Sequence, residues 1–389
     1  MNKLICLSAA VCAPFTASAQ GALIPSLPPG NIAPTLVETR AEMAIPSTGD
    51  LRGQRDGVGF AITAGQMAEA WELSAAEPRP ESLGPVPAAG VAGLICPHDD
   101  YLCAGRMYRE VIPLVKAKTV ILVGVFHKHR RYSVRDLMVF DPYRAWRSPD
   151  GEIPVSGLRE DLLARLAPGE STQSAVWHDS EHSLEAIAYW LKHQNPDVEI
   201  LPVILPATAF SRLEVLADHL GAALAGSMKE RGWTLGEDVA VVISSDGTHY
   251  GARYHYTPFG AGGVDTYLEV MDTDRKMLQS LFAGPVTAAM AREFYASMTD
   301  PDQPDHFRGA WCGRFSIPFG LMLLAAAARD LGQAPPQATP VAFGSSLGFP
   351  ELPARTPGMG LTNAINLYHF VSYPTVAFVS GTTHEKDPS

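Results

Sequence analysis

Three segments of the chain share one pattern, in which an apolar run stops at a group of ionisable residues. They are residues 91–105 (VAGLICPHDDYLCAG), 119–129 (TVILVGVFHKH) and 239–251 (VAVVISSDGTHYG). Short aliphatic runs of this kind predict buried strands. Open α/β sheets carry their functional residues beyond the carboxyl ends of such strands. The pattern therefore predicts that His98, His127, Asp246 and His249 converge at one edge of a sheet.

Segments with a helical period separate these strands. Apolar residues recur on one face in residues 105–116, and residues 211–229 begin with the S-x-x-E pattern of a capping box. Further helices are predicted at 63–74, 157–166, 184–191, 263–281, 286–298 and, after a loop, within 311–331, and further strands at 198–205 and within 366–380. This alternation predicts βαβ units with buried parallel strands. The predicted fold class is α/β, a mixed and mostly parallel sheet flanked by helices.

The first 19 residues have the features of a secretory signal peptide. They contain a single basic residue, an apolar stretch at residues 4–15 and the sequence A-S-A before Gln20, which is an A-x-A cleavage pattern. A short hydrophobic N-terminal helix is the alternative. The expected location of the mature protein is periplasmic or secreted, with cleavage after Ala19.

The remaining chain divides by composition into an arm and a domain. Residues 20–57 begin rich in proline and glycine and predict an extended arm or linker. Residues 58–389 predict one α/β domain, and with 46% hydrophobic residues the chain is able to bury a large core.

The charge balance narrows the classes of partner. Of 30 basic residues the predicted signal removes one, Lys3, so 29 face 41 acidic residues and the net charge becomes −12. An acidic surface argues against nucleic acid and anionic membranes, and the mature chain has no run of roughly 18 apolar residues that would span a bilayer. The expected partner is a small-molecule substrate or a metal ion, and a homo-oligomer is compatible with the sequence.

Three cysteines remain after signal removal, Cys96, Cys103 and Cys312. An odd number in an oxidising compartment leaves at least one unpaired, and a disulfide between Cys96 and Cys103 stays an open question. Cys312 precedes a predicted helix, where a thiol has a lowered pKa and becomes a better metal ligand. A buried, inert cysteine is the alternative.

The combination of imidazoles, a carboxylate and a thiol indicates a metal site. One histidine at a strand end is more often a hydrogen-bonded core residue, but several such groups at one sheet edge favour Fe, Zn, Cu or Mn. His182, at a predicted helix start, joins the candidates, although helix capping by its neighbours is the simpler interpretation. The chain has no Walker loop, G-x-G-x-x-G fingerprint or H-E-x-x-H helix, which argues against nucleotide-binding proteins and zincin-type proteases.

Five ordered motifs carry a resemblance to a known family. They are Pro97-His98 with Tyr101 and Gly105, Gly124 with His127, Glu181-His182-Ser183-Leu184-Glu185, Ser244-Ser245-Asp246 with His249, and Cys312-Gly313-Arg314. Together they resemble the MEMO family, also called AmmeMemoRadiSam system protein B, over about residues 91–331. The resemblance implies a fold similar to that of class III extradiol dioxygenases.

The resemblance also implies a ligand set and catalytic roles. Relatives hold iron or copper, which here implies Fe(II), or else Cu, bound by His98, His127 and Cys312. His249, Asp246 and His182 would be the catalytic residues, with His249 or His182 as acid or base and Asp246 orienting it. No organic cofactor is expected.

Two departures from the family pattern change the expected surroundings of the metal. Asp99 and Asp100 stand where the family has Ala and Gly, which adds carboxylates beside His98. Phe126 and Lys128 replace a serine and a second histidine, so a cation is expected near the pocket. Changes around the ligands typically alter metal affinity by about 10- to 100-fold.

Three functions follow in order of preference. The first is an exported, mononuclear Fe(II)-dependent redox enzyme that resembles extradiol dioxygenases. The second is a periplasmic protein that binds copper, iron or a ligand without turnover. The third is a metal-assisted hydrolase, which the carboxylates Asp99, Asp100 and Asp246 suggest and which would require two ions about 3.5 to 4 Å apart.

Overall fold

The computed structural model describes residues 33–88 and 90–380. The predicted signal peptide and its cleavage site lie outside the described residues. Within them the helices are α1 (Leu36–Ala41), α2 (Ala64–Leu73), α3 (Tyr101–Val111), α4 (His129–Tyr132), α5 (Leu158–Leu163), α6 (Ala175–Asp179), α7 (Glu185–Gln194), α8 (Phe210–Arg231), α9 (Val264–Leu281), α10 (Ala288–Met298) and α11 (Ser316–Leu331). The strands are β1 (Leu51–Arg52), β2 (Glu81–Ser82), β3 (Gly93–Cys96), β4 (Thr119–Val125), β5 (Met138–Phe140), β6 (Ala145–Ser148), β7 (Gly151–Pro154), β8 (Ser171–Gln173), β9 (Glu199–Leu205), β10 (Val239–Ser244), β11 (His249–Gly251), β12 (Gly284–Pro285), β13 (Gln337–Ser345) and β14 (His369–Val379).

A large mixed sheet forms the centre of the fold, in the order β12-β13-β14-β3-β10-β4-β9-β5-β8. Its middle strands β3, β10, β4 and β9 are mutually parallel, whereas β14 runs antiparallel to β3 and β5 antiparallel to β9. The structure confirms the predicted α/β class with a mixed sheet flanked by helices. The three strands predicted to carry the site, β3, β10 and β4, are direct neighbours.

Both faces of the central strands are buried, as their continuous apolar runs predict. Alternate residues of one strand enter different cores: Ile121 of β4 packs on one face with α8, α9, α10 and α11, and Leu122 packs on the other with α2, α3 and α7. Because side chains alternate across a strand, hydrophobic burial fixes the register of the strand and hence the position of the polar residues that follow it.

Two of the differences from the sequence expectations concern α8 and β13. Helix α8 begins one residue before Ser211, with Ala209 as N-cap and no side-chain cap, so the predicted capping box does not form. Strand β13 was not predicted; it pairs with β14, which runs as one strand where one or two were expected. Its burial pattern is broken at Thr339 and Pro340 next to a register shift, which obscures the period of two that identifies a strand.

Residues 33–57, from the segment predicted as an arm, form local structure and pack on the sheet domain. Thr35 and Glu38 make a capping box at the start of α1, and β1 pairs with β6 in a separate three-stranded sheet. The division of the chain at residue 57 remains a prediction. No helix within 33–88 and 90–380 combines the length and the apolar character that crossing a membrane requires.

Candidate metal centre

The three predicted strand-end residues lie side by side because their strands do. His98 follows β3 by two residues, His127 follows β4 by two, and Asp246 follows β10 by two. Since β10 lies between β3 and β4 and all three are parallel, the three side chains leave the sheet at the same edge. The predicted convergence is therefore present in the structure.

A cavity of about 640 Å³ opens at this edge. Its lining includes all six residues predicted for the site, namely His98, His127, His182, Asp246, His249 and Cys312. His98 lies at the bottom, with 3% of its side chain exposed, whereas His127 and His182 are exposed by 32% and 38% and form the wall. A cavity of this size is large enough for a small organic substrate.

The buried carboxylate of Glu181 positions two of the histidines. It accepts hydrogen bonds from the His127 backbone N–H (2.7 Å) and ring Nδ1 (3.0 Å), and from the backbone N–H groups of His182 (2.8 Å) and Ser183 (2.9 Å). Burial opposes ionisation, but His127 and these bonds hold the pKa of Glu181 well below its usual value. The rings of His127 and His182 stack with centroids 5.1 Å apart and an angle of 3°.

A glycine allows this loop to approach the strand. A Cβ atom at Gly124 of β4 would lie 2.7 Å from Leu184 Cγ and 3.0 Å from Ser183 Oγ. Ser183 Oγ donates to the carbonyl of Val125 (2.8 Å). The absence of a side chain at Gly124 thus brings the residues next to His182 against the strand that delivers His127.

Hydrogen bonds fix the tautomers of three histidines. Ser244 Oγ donates its only hydrogen to the carbonyl of Ser183, so it accepts from Nδ1 of His98 at 2.7 Å. Nδ1 of His127 donates to the Glu181 carboxylate, and Nδ1 of His249 to the carbonyl of Gly247 (3.1 Å). In the neutral form of each ring the lone pair therefore lies on Nε2, which is the arrangement of a metal-binding or proton-accepting imidazole.

Cys312 lies against His98 and Asp246 in the buried part of the site. Its Sγ is 3.7 Å from His98 Nε2 and accepts a hydrogen bond from the backbone N–H of Asp246 at 3.1 Å. Burial and the nearby Asp246 raise the pKa of Cys312 well above its usual value. The lowered pKa expected from a helix N-terminus is wrong, because α11 begins only at Ser316, beyond Cys312, and burial raises the pKa of the thiol.

The side chains in the cavity form two overlapping groups of possible metal ligands. In the part of the chain that the structure describes, His98, His127 and His182 present ligand atoms within 4.8 Å of one another, and so do His98, Asp246 and Cys312. The set predicted from the resemblance, His98, His127 and Cys312, takes members of both groups, and His98 belongs to each. His249 lies at the edge, with Nε2 4.0 Å from Asp246 Oδ2.

The added carboxylates Asp99 and Asp100, the first departure from the family pattern, are hydrogen-bonded to the C-terminal part of the chain. Asp99 accepts a hydrogen bond from the Tyr373 hydroxyl at 2.6 Å, and Asp100 accepts from the backbone N–H of Thr362 at 2.6 Å. Burial and Asp99 raise the pKa of Asp100 to about 8. Lys128, in contrast, is not part of the cavity lining, so the cation expected near the pocket does not face it.

Sequence reasoning missed two supporting residues. Arg52, 1% exposed, pairs with buried Glu185 at 2.6 Å and donates to the carbonyls of His178 and Glu181. Asp274 of α9 accepts from Thr248, Ser372 and the indole of Trp311, which fixes the residues that precede His249 and Cys312. No local pattern marks either residue, because each partner is distant in sequence.

The sequence is similar to one family and to several of its members. A family model described as "Memo-like protein" matches residues 67–328. A MEMO1 family protein of Thermococcus kodakarensis is 28% identical over 201 residues, which cover 50% of this chain and 63% of that protein. One from Thermococcus onnurineus is 28% identical over 198 residues, covering 49% and 63%. The chain therefore spans less than two thirds of the length of these relatives.

A solved structure is also similar to the chain. The crystal structure of an uncharacterized protein from Escherichia coli K12 superimposes with a TM-score of 0.39 and 12% sequence identity, covering 74% of this chain and 98% of that one.

Proposed function

This chain belongs to the Memo-like protein family, and we propose that it is an exported, mononuclear metal-dependent redox enzyme. The observation that carries the proposal is the fixed tautomer of His98, His127 and His249, whose Nε2 lone pairs all belong to the edge of one cavity. Hydrogen bonds to the other ring nitrogen are the usual support of metal-bound histidine.

The donor set suits iron, and copper as a second choice. We propose His98, His127 and Cys312 as the ligands, with His98 as the one member common to both donor groups. Imidazoles serve Fe, Cu and Zn alike, and a thiolate favours the softer of these metals. The pKa of the free Cys312 thiol is raised by burial, so loss of its proton would accompany metal binding.

The remaining residues of the cavity would handle protons and substrate. Bound Fe(II) would supply the capacity to bind and activate dioxygen together with a chelating, oxygen-bearing substrate. His249 presents an unprotonated Nε2 and would accept a substrate hydroxyl proton, while Asp246, whose Oδ2 is 4.0 Å from Nε2, would orient it. The ring of Tyr254 meets His249 edge-on at 4.9 Å and limits its movement.

Metal content and oxygen consumption test this function together. Protein purified without oxygen is expected to contain iron in stoichiometric amount by elemental analysis, and to consume oxygen in an electrode with at least one member of a catechol panel. Treatment with a chelator should abolish the uptake, and Fe(II) should restore it. Iron-loaded protein that consumes no oxygen with any chelating phenol would contradict the redox assignment.

A non-catalytic metal-binding protein is the second candidate, and the buried thiol favours it. Cys312 and His98 are both at least nine-tenths buried, and such a pair would retain copper with little access for a substrate. This reading predicts copper at stoichiometric amount with no oxygen uptake, so the same two measurements separate the candidates.

The proposed export rests on the N-terminal sequence and has its own test. If residues 1–19 are a signal peptide, the protein recovered from the periplasm or medium of an expressing bacterium should begin at Gln20. N-terminal sequencing and intact mass would show this directly. Replacement of Ala17 and Ala19 by bulky residues should block the processing. An unprocessed N-terminus on the native-sequence protein would contradict export.

A further inference from the structure

Arg314 lines the cavity and forms no ion pair with the residues that the structure describes. Its Nε donates to the carbonyl of Trp311 at 3.0 Å, and the guanidinium lies over the ring of Phe307 at 3.7 Å. These two contacts fix the side chain. In residues 33–88 and 90–380, neither of its two terminal nitrogens has a hydrogen bond or an ion pair, although Arg314 lines the cavity.

The neighbouring arginines are neutralised, which sets Arg314 apart. Arg308, which also lines the cavity, pairs with Asp300 at 2.9 Å. Arg130, stacked on the same Phe307 ring, pairs with Asp305. The unpaired cation is thus a local exception and not a general feature of this wall.

An anion from the ligand would complete this arrangement. A guanidinium is charged at neutral pH, and a partly buried charge without a partner is unfavourable. With Nε engaged by the protein, the two terminal N–H₂ groups form a fork that matches the two oxygens of a carboxylate. The cavity lining also contains Asp56, whose carboxylate would repel a dianion such as a phosphate more strongly than a monoanion.

We propose that the ligand of this cavity carries a carboxylate that Arg314 binds end-on, which makes Arg314 the residue that selects for acidic substrates. The inference rests on the proposed function only because it places the ligand in the cavity that the proposed metal ligands line. It does not depend on which metal is bound or on turnover.

Calorimetric titration with matched probes tests the proposal. Benzoate, phenylacetate and 3-phenylpropanoate are each compared with the corresponding neutral amide, using the mature protein as purified and after dialysis against a chelator. At least one acid should bind about 10- to 100-fold more tightly than its amide, the range expected for hydrogen bonds to a charged group. The preference should persist after the metal is removed, which separates this result from the metal-dependent function.

Two variants test whether Arg314 is the residue that causes the tighter binding of the acid. Arg314→Gln should bind acid and amide equally, whereas Arg308→Gln, which removes a paired arginine of the same wall, should keep the wild-type ratio. If Arg314→Gln does not fold by circular dichroism, Arg314→Lys provides the test, since a single ammonium cannot form the fork and should reduce the ratio. Equal binding of acid and amide by the wild type for all three pairs would overturn the proposal, as would an unchanged ratio in the folded Arg314 variant.

Discussion

Replacement of His98 by alanine is expected to abolish metal retention. His98 is the only residue common to the two donor groups of the described chain, so its loss leaves each group with two members. The fall in affinity should exceed the roughly 10- to 100-fold that follows from loss of a group supporting a ligand. Elemental analysis after dialysis would measure the retained metal, and circular dichroism would confirm folding.

Companion variants identify the other ligands. If His98, His127 and Cys312 hold the ion, alanine at any of them should release it, whereas His182→Ala and Asp246→Asn should retain most of it. His129→Ala is the matched control, because it removes a buried imidazole two residues after His127 that does not line the cavity. Metal bound at wild-type level by His98→Ala would exclude both donor groups and refute the proposed centre.

The part of the site that lies at strand ends could be predicted because its signals are local. The apolar runs before His98, His127 and Asp246 mark three strands, and the change to polar residues marks where each strand ends. His182 and Cys312, which occupy loops before α7 and α11, were weaker candidates on local grounds, and the resemblance strengthened them. The α/β class and the family were both predicted and are confirmed.

What the sequence could not supply is the spatial order of these elements. A hydrophobic period reports which face of a strand is buried, but it does not report which strands pair. The order β3-β10-β4 decides that His98 and Asp246 are neighbours. The same limit applies to Cys312, which the structure groups with His98 and Asp246 and not with His127.

Arg52 is the clearest case of a contact that the sequence could not predict. Its replacement is the second prediction with a large expected effect. The residue lies before the family match, in a segment whose composition indicated a linker, yet its guanidinium is buried against Glu185, 133 positions later in the chain. Its guanidinium also donates to the carbonyl of His178 in α6 and to that of Glu181 in the loop after α6. The N-terminal segment therefore holds the loop that carries the Glu181 carboxylate.

Arg52→Met is expected to destabilise the fold by about 3 to 5 kcal/mol, because removal of one partner leaves a buried charge uncompensated. A lower midpoint in urea unfolding would measure the loss. Arg144→Met is the matched control: Arg144 pairs with Asp50 and Glu152 on the surface, and its replacement should leave the midpoint nearly unchanged. The double variant Arg52→Met with Glu185→Gln should recover much of the stability, since it removes the uncompensated carboxylate.

The penalty for Arg52→Met should also depend on pH in a defined direction. Burial raises the pKa of Glu185 to about 6 even beside Arg52, so the folded protein takes up this proton at a higher pH than the unfolded chain, whose glutamate titrates near its ordinary value. The ionised carboxylate is thus the unfavourable form in the fold, and without Arg52 it becomes more so. At pH 5 Glu185 is mostly protonated in the folded protein and needs no counter-charge. At pH 8 the variant must either bury an ionised Glu185 without a partner or keep Glu185 protonated at a pH at which a glutamate in water is ionised, and both cost free energy of folding. The difference in urea midpoint between wild type and variant should therefore be smaller at pH 5 than at pH 8.

A difference of equal size at both pH values would contradict this explanation. It would mean that the variant loses the packing of Arg52 on Trp146, where the guanidinium carbon lies 4.1 Å from the ring centre, and not the ion pair.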